Sequence, residues 1–192
     1  MNSDATDQWN RRDALRGGAA ALFVLMRDAA GTVRAAADKA IADARYPFAE
    51  RLSDLVIPGT DTPGAAGTGV AAFVLLAVDH HMTDLKPELL ERVRGALDAA
   101  AQGDFLKLPR GRQQELLEVL DTQAFASHGA APDTPHHAWQ RIKAAIVAGY
   151  YTSEAGASKE LVFEPVPGDA SHNITLTGTY RSRSNDGLGG AF

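Results

Sequence analysis

The chain contains no cysteine. That absence excludes disulfides, thiolate-bound zinc, iron–sulfur clusters, haem attachment through a CxxCH motif, and a thiol nucleophile. Clustered positive charge is also missing. The 192 residues carry a net charge of −5, and beyond residue 37 there are 14 basic side chains against 20 acidic ones. An acidic surface with no Lys/Arg cluster is a poor match for nucleic-acid phosphates or an anionic membrane. The expected partner is therefore a protein or a small molecule. No apolar stretch reaches the length of about 20 residues that a membrane helix requires, so no direct membrane span is expected. There is no GxGxxG after a strand, no GxxxxGK[ST] and no GxSxG elbow, so neither nucleotide phosphates nor a serine nucleophile have their usual setting.

At the N-terminus, Arg11-Arg12-Asp13-Ala14-Leu15-Arg16 runs into the apolar stretch Gly17 to Met26, which ends at Arg27-Asp28. Two adjacent arginines before a short, weakly apolar core read as a twin-arginine export signal, whose usual pattern is Ser/Thr-Arg-Arg-x-Phe-Leu-Lys. Arg11, Arg12 and Leu15 match it; Asn10, Ala14 and Arg16 depart from it. The alternative is an ordinary amphipathic helix with two surface arginines. Ala35-Ala36-Ala37 offers small residues for cleavage, and whether residues 1–37 are removed stays open. That route carries proteins already folded, so the expected location is the periplasm. A protein folded in the reducing cytoplasm has no need of disulfides.

The rest of the chain reads as all-α: a compact domain of five to six helices over 38–153, followed by a long irregular arm over 154–192. About 155 residues are enough to bury a core without metals or disulfides. Phe48, Leu52, Leu55 and Val56 give one apolar helical face over 47–56, with Pro47 in the first turn and Pro58-Gly59 at the end. Gly67 to Met82, almost continuously apolar from Val70 to Val78, reads as a central buried helix. Leu89, Leu90, Val93 and Leu97 predict a helix over 86–102, and Leu116, Leu117 and Leu120 another over 109–125. Thr134 and Pro135 predict the start of a helix to Tyr151, with Trp139, Ile142, Ile146 and Val147 inward. Strand-like alternation first appears at Leu161 to Val166. From Glu154 onward Gly, Ser, Thr, Asn and Pro dominate, yet Leu161, Phe163, Ile174 and Tyr180 are too apolar for a pure linker; the arm is expected to lie against the domain or a partner.

Catalytic groups are hard to find. His80-His81 and His136-His137 are tempting as metal ligands, but adjacent helical residues point about 100° apart, so one pair cannot ligate one metal from a single face. A site would need one histidine from each pair plus Asp79. Ser171-His172 lacks any scaffold for a nucleophile. The chain's own chemistry points away from catalysis, and no cofactor is expected in it.

Two stretches resemble a known family. Leu52-Ser53-Asp54-Leu55-Val56-Ile57-Pro58-Gly59-Thr60-Asp61-Thr62-Pro63-Gly64-Ala65, with Gly69 to Val74, resembles the "LADLIIPATDTPGA…GVPAFID" signature of the gluconate 2-dehydrogenase subunit 3 family. Gly149-Tyr150-Tyr151-Thr152-Ser153-Glu154-Ala155-Gly156-Ala157, then Glu160-Leu161 and Pro165-Val166-Pro167-Gly168, resembles that family's "GYYTSEIGATQELQYDPVPG". The resemblance spans residues 11–168. It implies a small helical subunit without catalytic residues, which supplies the export signal and supports maturation of a large FAD-binding subunit of the glucose-methanol-choline type. That partner oxidises a sugar, sugar acid or glycoside and passes electrons to a cytochrome c, through haem c, or to another acceptor. The segment after Pro167-Gly168, and Asp79-His80-His81-Met82, depart from the family pattern, so the sugar is not legible here.

Physical reading gives the signature residues two possible roles. Thr60-Asp61-Thr62-Pro63 has the composition of a helix cap, with partner contact as the alternative. Tyr150 and Tyr151 face different ways at a helix end, so one packs inward while the other is free for an interface; for Tyr151, core and interface both stay open. The candidate partner contacts are thus Thr60, Asp61, Thr62, Pro63, Tyr150, Tyr151, Ser153, Glu154, Pro165 and Pro167. The rival reading is a stand-alone periplasmic binding or metal-handling protein built on the histidine pairs.

Overall fold

The computed structural model describes residues 31–82, 85–126 and 131–161. The chain divides into two units, Met1–Lys39 and Ala40–Phe192. Of the first, residues 31–39 are described and helical, belonging to helix α1 over 31–41. The second unit contains α2 (Tyr46–Val56), α3 (Val70–Asp79), α4 (Pro87–Ala101), a 3-10 turn (Phe105–Lys107), α5 (Arg110–Phe125), α6 (Pro135–Tyr151) and a π-helical turn (Gly156–Glu160). No strand occurs among the described residues. The all-α expectation holds.

Each helix has a local reason for its limits. Pro47 sits in the first turn of α2, where its missing N–H costs nothing. Phe48, Ala49, Leu52 and Ser53 form the buried face of α2, and the Ser53 hydroxyl donates back to the Ala49 carbonyl at 2.8 Å. α3 begins at Val70, where the apolar run begins and three residues later than the expected start at Gly67. Gly67 and Gly69 take left-handed φ values of 73° and 84°, which a right-handed helix cannot include. Its far end is Asp79, short of Met82, because His81 is also left-handed at φ 52°. Between these limits α3 is buried almost all round, with Val70, Ala71, Ala72, Val74, Leu75, Ala77 and Val78 inside.

α6 is the element around which the others assemble: α2, α3, α4, α5 and the π turn all pack against it. Thr134 caps it, accepting a hydrogen bond from the His137 N–H at 3.2 Å, with Pro135 next as expected. Trp139, Ile142, Ile146 and Tyr150 are each at most 1 % exposed. α3 and α6 approach closely because Gly149 has no side chain; a Cβ there would lie 2.6 Å from the Phe73 ring. Opposite, Gln113 of α5 is 1 % exposed and donates to the carbonyls of Phe105 (2.9 Å) and Leu106 (3.2 Å), pinning the 3-10 turn to the core.

An ion cluster closes the other end of α3. Arg45 holds Asp43 at 2.7 Å and Asp79 at 2.9 Å. Hydrogen bonding to Asp43 in the first place, then to Asp79, pushes the Arg45 guanidinium above its ordinary range.

Candidate functional site

The two dense sequence motifs meet in space. The Tyr150 phenol donates to the Pro63 carbonyl at 2.6 Å, across a sequence separation of 87. The Thr62 hydroxyl donates to the Glu160 carboxylate, across a separation of 98. Around these two bonds each segment is folded on itself. The Ala65 N–H reaches the Ile57 carbonyl at 2.9 Å and the Thr60 N–H reaches the Thr62 carbonyl at 3.0 Å, which closes the loop between α2 and α3. After α6, Ser153 donates to the Tyr150 carbonyl at 2.7 Å and accepts from the Gly156 N–H at 3.2 Å, so one side chain turns the backbone from α-helix into the π turn.

Two glycines make the close fit possible. At Gly64 a Cβ would lie 2.4 Å from the Gly59 nitrogen and 2.6 Å from the Ile57 carbonyl oxygen. At Gly156 it would lie 2.1 Å from the Tyr150 carbonyl oxygen. Both obstacles are backbone atoms, which cannot swing aside as a side chain does. Beside the junction a cleft of about 310 Å³ opens, lined by Pro63, Gly67, Thr68, Glu154, Ala155 and Lys159.

A family model described as gluconate 2-dehydrogenase subunit 3 matches residues 43–168, more than half of the chain. The chain belongs to this family. Neither curated proteins nor solved structures yield a match.

The structure divides this subunit 3 signature into inward and outward members. Tyr150 is 1 % exposed, whereas Tyr151 is 40 % exposed, its ring edge-on to that of Tyr150 at 5.3 Å between centroids. Burial above all, and then the nearby Glu160 charge, push the Tyr150 phenol above its ordinary 10.0, against a lowering hydrogen bond with Thr62. Thr62, Pro63, Ser153 and Gly156 are likewise engaged within the chain. Thr60, Asp61 and Glu154 lie on the exposed side, with the Thr60 hydroxyl donating to Asp61 at 3.0 Å.

One expectation fails here. Thr60-Asp61-Thr62-Pro63 caps no helix: the residue before α3 is Gly69, which offers no side-chain cap. The Thr62 hydroxyl and the Pro63 carbonyl are turned instead toward Glu160 and toward Tyr150 at the end of α6. Glu160 and Gly156 are the functional neighbours that sequence reasoning passed over as site residues. A contact across 98 residues leaves no periodic trace.

The histidine pairs are placed apart from this junction. His80 and His81 are exposed beyond α3, and Asp79 is held by Arg45. His136 Nε2 lies 3.2 Å from the Gln123 side-chain oxygen, and the His137 Nδ1 is buried without a hydrogen-bond partner. Among the described residues, no three His, Asp or Glu side chains come together in a group able to hold a metal. No helix among them is long and apolar enough to cross a membrane. Arg11, Arg12, Leu15, Pro165, Pro167 and the Ser171-His172 pair lie outside the described residues.

Proposed function

We propose that this chain is the non-catalytic small subunit of a gluconate dehydrogenase-type complex, exported folded by the twin-arginine route together with a large FAD-binding subunit. Membership of the subunit 3 family over residues 43–168 is the observation that carries the reading. In this assignment the flavin resides in the partner, which oxidises a sugar or sugar acid. Electrons leave through a cytochrome c or another acceptor. The small subunit contributes the export signal at Arg11, Arg12 and Leu15 and a folded surface that supports folding and maturation of the partner, and the assembled complex resides in the periplasm.

The described junction supports a scaffolding role. Its hydroxyls, carboxylate and carbonyls satisfy one another within the chain, an arrangement that fixes a shape. Outward members of the signature, Thr60, Tyr151 and Glu154, are exposed toward a partner, and Asp61 lies on the same exposed side; an exposed tyrosine suits a protein interface.

Replacing Arg11 and Arg12 with lysine keeps the charge but removes the twin-arginine pattern. The expected outcome is loss of the flavoprotein subunit from the periplasmic fraction, read by immunoblot and flavin fluorescence, with cytoplasmic accumulation of both chains. Normal export of the flavoprotein in that double variant would contradict the carrier role.

A further inference from the structure

A second surface, away from the signature junction, carries the features of a docking site. A groove of about 250 Å³ runs between α2, α5 and α6, lined by Leu55, Val56, Gln114, Leu117, Glu118, Asp121, Trp139 and Lys143. Its floor is apolar: Trp139 is 1 % and Leu117 is 5 % exposed, and Leu55 and Val56 are partly buried against the core. The α5 wall follows one helical stripe, because Gln114, Leu117, Glu118 and Asp121 recur at i, i+3, i+4 and i+7. Phe125 continues that stripe by one more turn, and it is 55 % exposed.

Two polar groups of the wall are already spent. Asp121 accepts from the Trp139 indole N–H at 2.7 Å and from Lys143 Nζ at 2.6 Å, and Lys143 lies 4.9 Å from the Phe125 ring centroid. Glu118 differs. Its exposed carboxylate has neither ion pair nor hydrogen bond among the described residues, and Gln114 beside it is likewise uncommitted. The groove therefore offers an apolar floor, an exposed aromatic at one end and one unbalanced negative charge on its edge. The stripe from Gln114 to Phe125 is about 16 Å long, or about three helical turns.

We infer that this groove receives an amphipathic segment of the FAD-binding subunit, about three helical turns long, apolar on its facing side and carrying a lysine or arginine opposite Glu118. Charge complementarity selects that occupant. An acidic chain with 20 acidic against 14 basic side chains beyond residue 37 attracts a basic surface, and Glu118 sets the position of the cation. Helix-in-groove binding supplies the apolar anchors, and the exposed Phe125 ring offers such a segment aromatic surface to bury.

The assignment rests on the proposed function, and its test separates the two. The full-length tagged chain is purified from its native cells as wild type, Glu118→Arg, Phe125→Ala and, as a control on a remote exposed position, Lys107→Glu. Captured flavoprotein is measured by absorbance at 450 nm and identified by mass spectrometry, and the fold of each variant is checked by its thermal melt. The expected result is capture reduced about tenfold or more in Glu118→Arg and Phe125→Ala, with unchanged melts and an unaffected control. Equal capture by all four chains overturns the groove while leaving the subunit reading intact. A wild-type chain that captures no flavoprotein overturns both. A free chain that sizes as a dimer, and becomes a monomer in Phe125→Ala, overturns the assignment in favour of a second copy as the occupant.

Discussion

The signature junction and the α2–α5–α6 groove are built on opposite principles. At the junction, residues from two distant segments are used up on each other: Tyr150 on Pro63, Thr62 on Glu160, Ser153 on the backbone that follows it. In the groove, an apolar floor is left open and a carboxylate is left unbalanced. The dense sequence motif thus marks where the chain holds itself together. A surface with no motif at all, the groove, keeps its binding capacity unused. Recurrence of a pattern within a family need not point to its interface.

The largest effect that sharpens this contrast is at Gly156. Alanine there places a Cβ 2.1 Å from the Tyr150 carbonyl oxygen, so the π turn must move or the junction must open. A loss of about 3 kcal/mol is expected in urea denaturation. A Gly156→Ala protein as stable as wild type would show that the junction is loosely held.

A smaller effect separates the two tyrosines. Tyr150→Phe removes the donor to the Pro63 carbonyl and leaves that acceptor unpaired, for an expected cost of about 1.5 kcal/mol. Tyr151→Phe removes a hydroxyl from an exposed ring and should change stability by less than about 0.5 kcal/mol. Equal effects would erase the inward and outward division of the signature.

The smallest expected effect is in alkali. Folding raises the Tyr150 phenol above 10.0, so the folded state holds this proton more tightly than the unfolded state does. The corresponding stability is fully present below pH 10 and is lost as pH rises from there through the folded value. Urea denaturation between pH 8 and pH 11 should therefore show a steeper alkaline decline in wild type than in Tyr150→Phe. Parallel declines would mean that the phenol is not insulated by the junction. Burial also raises Tyr46, with Glu50 adding to the effect, but that group is common to both proteins and cancels in the comparison.

Much of the fold is legible along the chain because helices repeat every 3.6 residues. Leu89, Leu90, Val93 and Leu97 mark α4, and Thr134-Pro135 marks the start of α6, through forces that act within one or two turns. The opposition of Tyr150 and Tyr151 is legible for the same reason. What fails is whatever depends on distant partners. The composition Thr60-Asp61-Thr62-Pro63 resembles a cap, but its hydrogen bonds are claimed by residues 87 and 98 positions away. The start of α3 falls at Val70 and not at Gly67 because Gly67 and Gly69 are left-handed, a backbone state that residue type alone does not reveal. The groove is hidden differently. Gln114, Glu118 and Phe125 lie on one stripe, yet a stripe mixing polar and apolar side chains looks like an ordinary solvated face until α2 and α6 are placed beside it.

The central claim is that this chain holds itself together at its signature and holds its partner at the groove. Hydrogen–deuterium exchange of the full chain, alone and in complex with the proposed flavoprotein subunit, addresses both halves at once. The account predicts that the amides of residues 114–125 slow markedly on complex formation. It also predicts that those of 61–65 and 153–157, already held by the junction, change little. Protection confined to 61–65 and 153–157, with 114–125 unchanged, would contradict it.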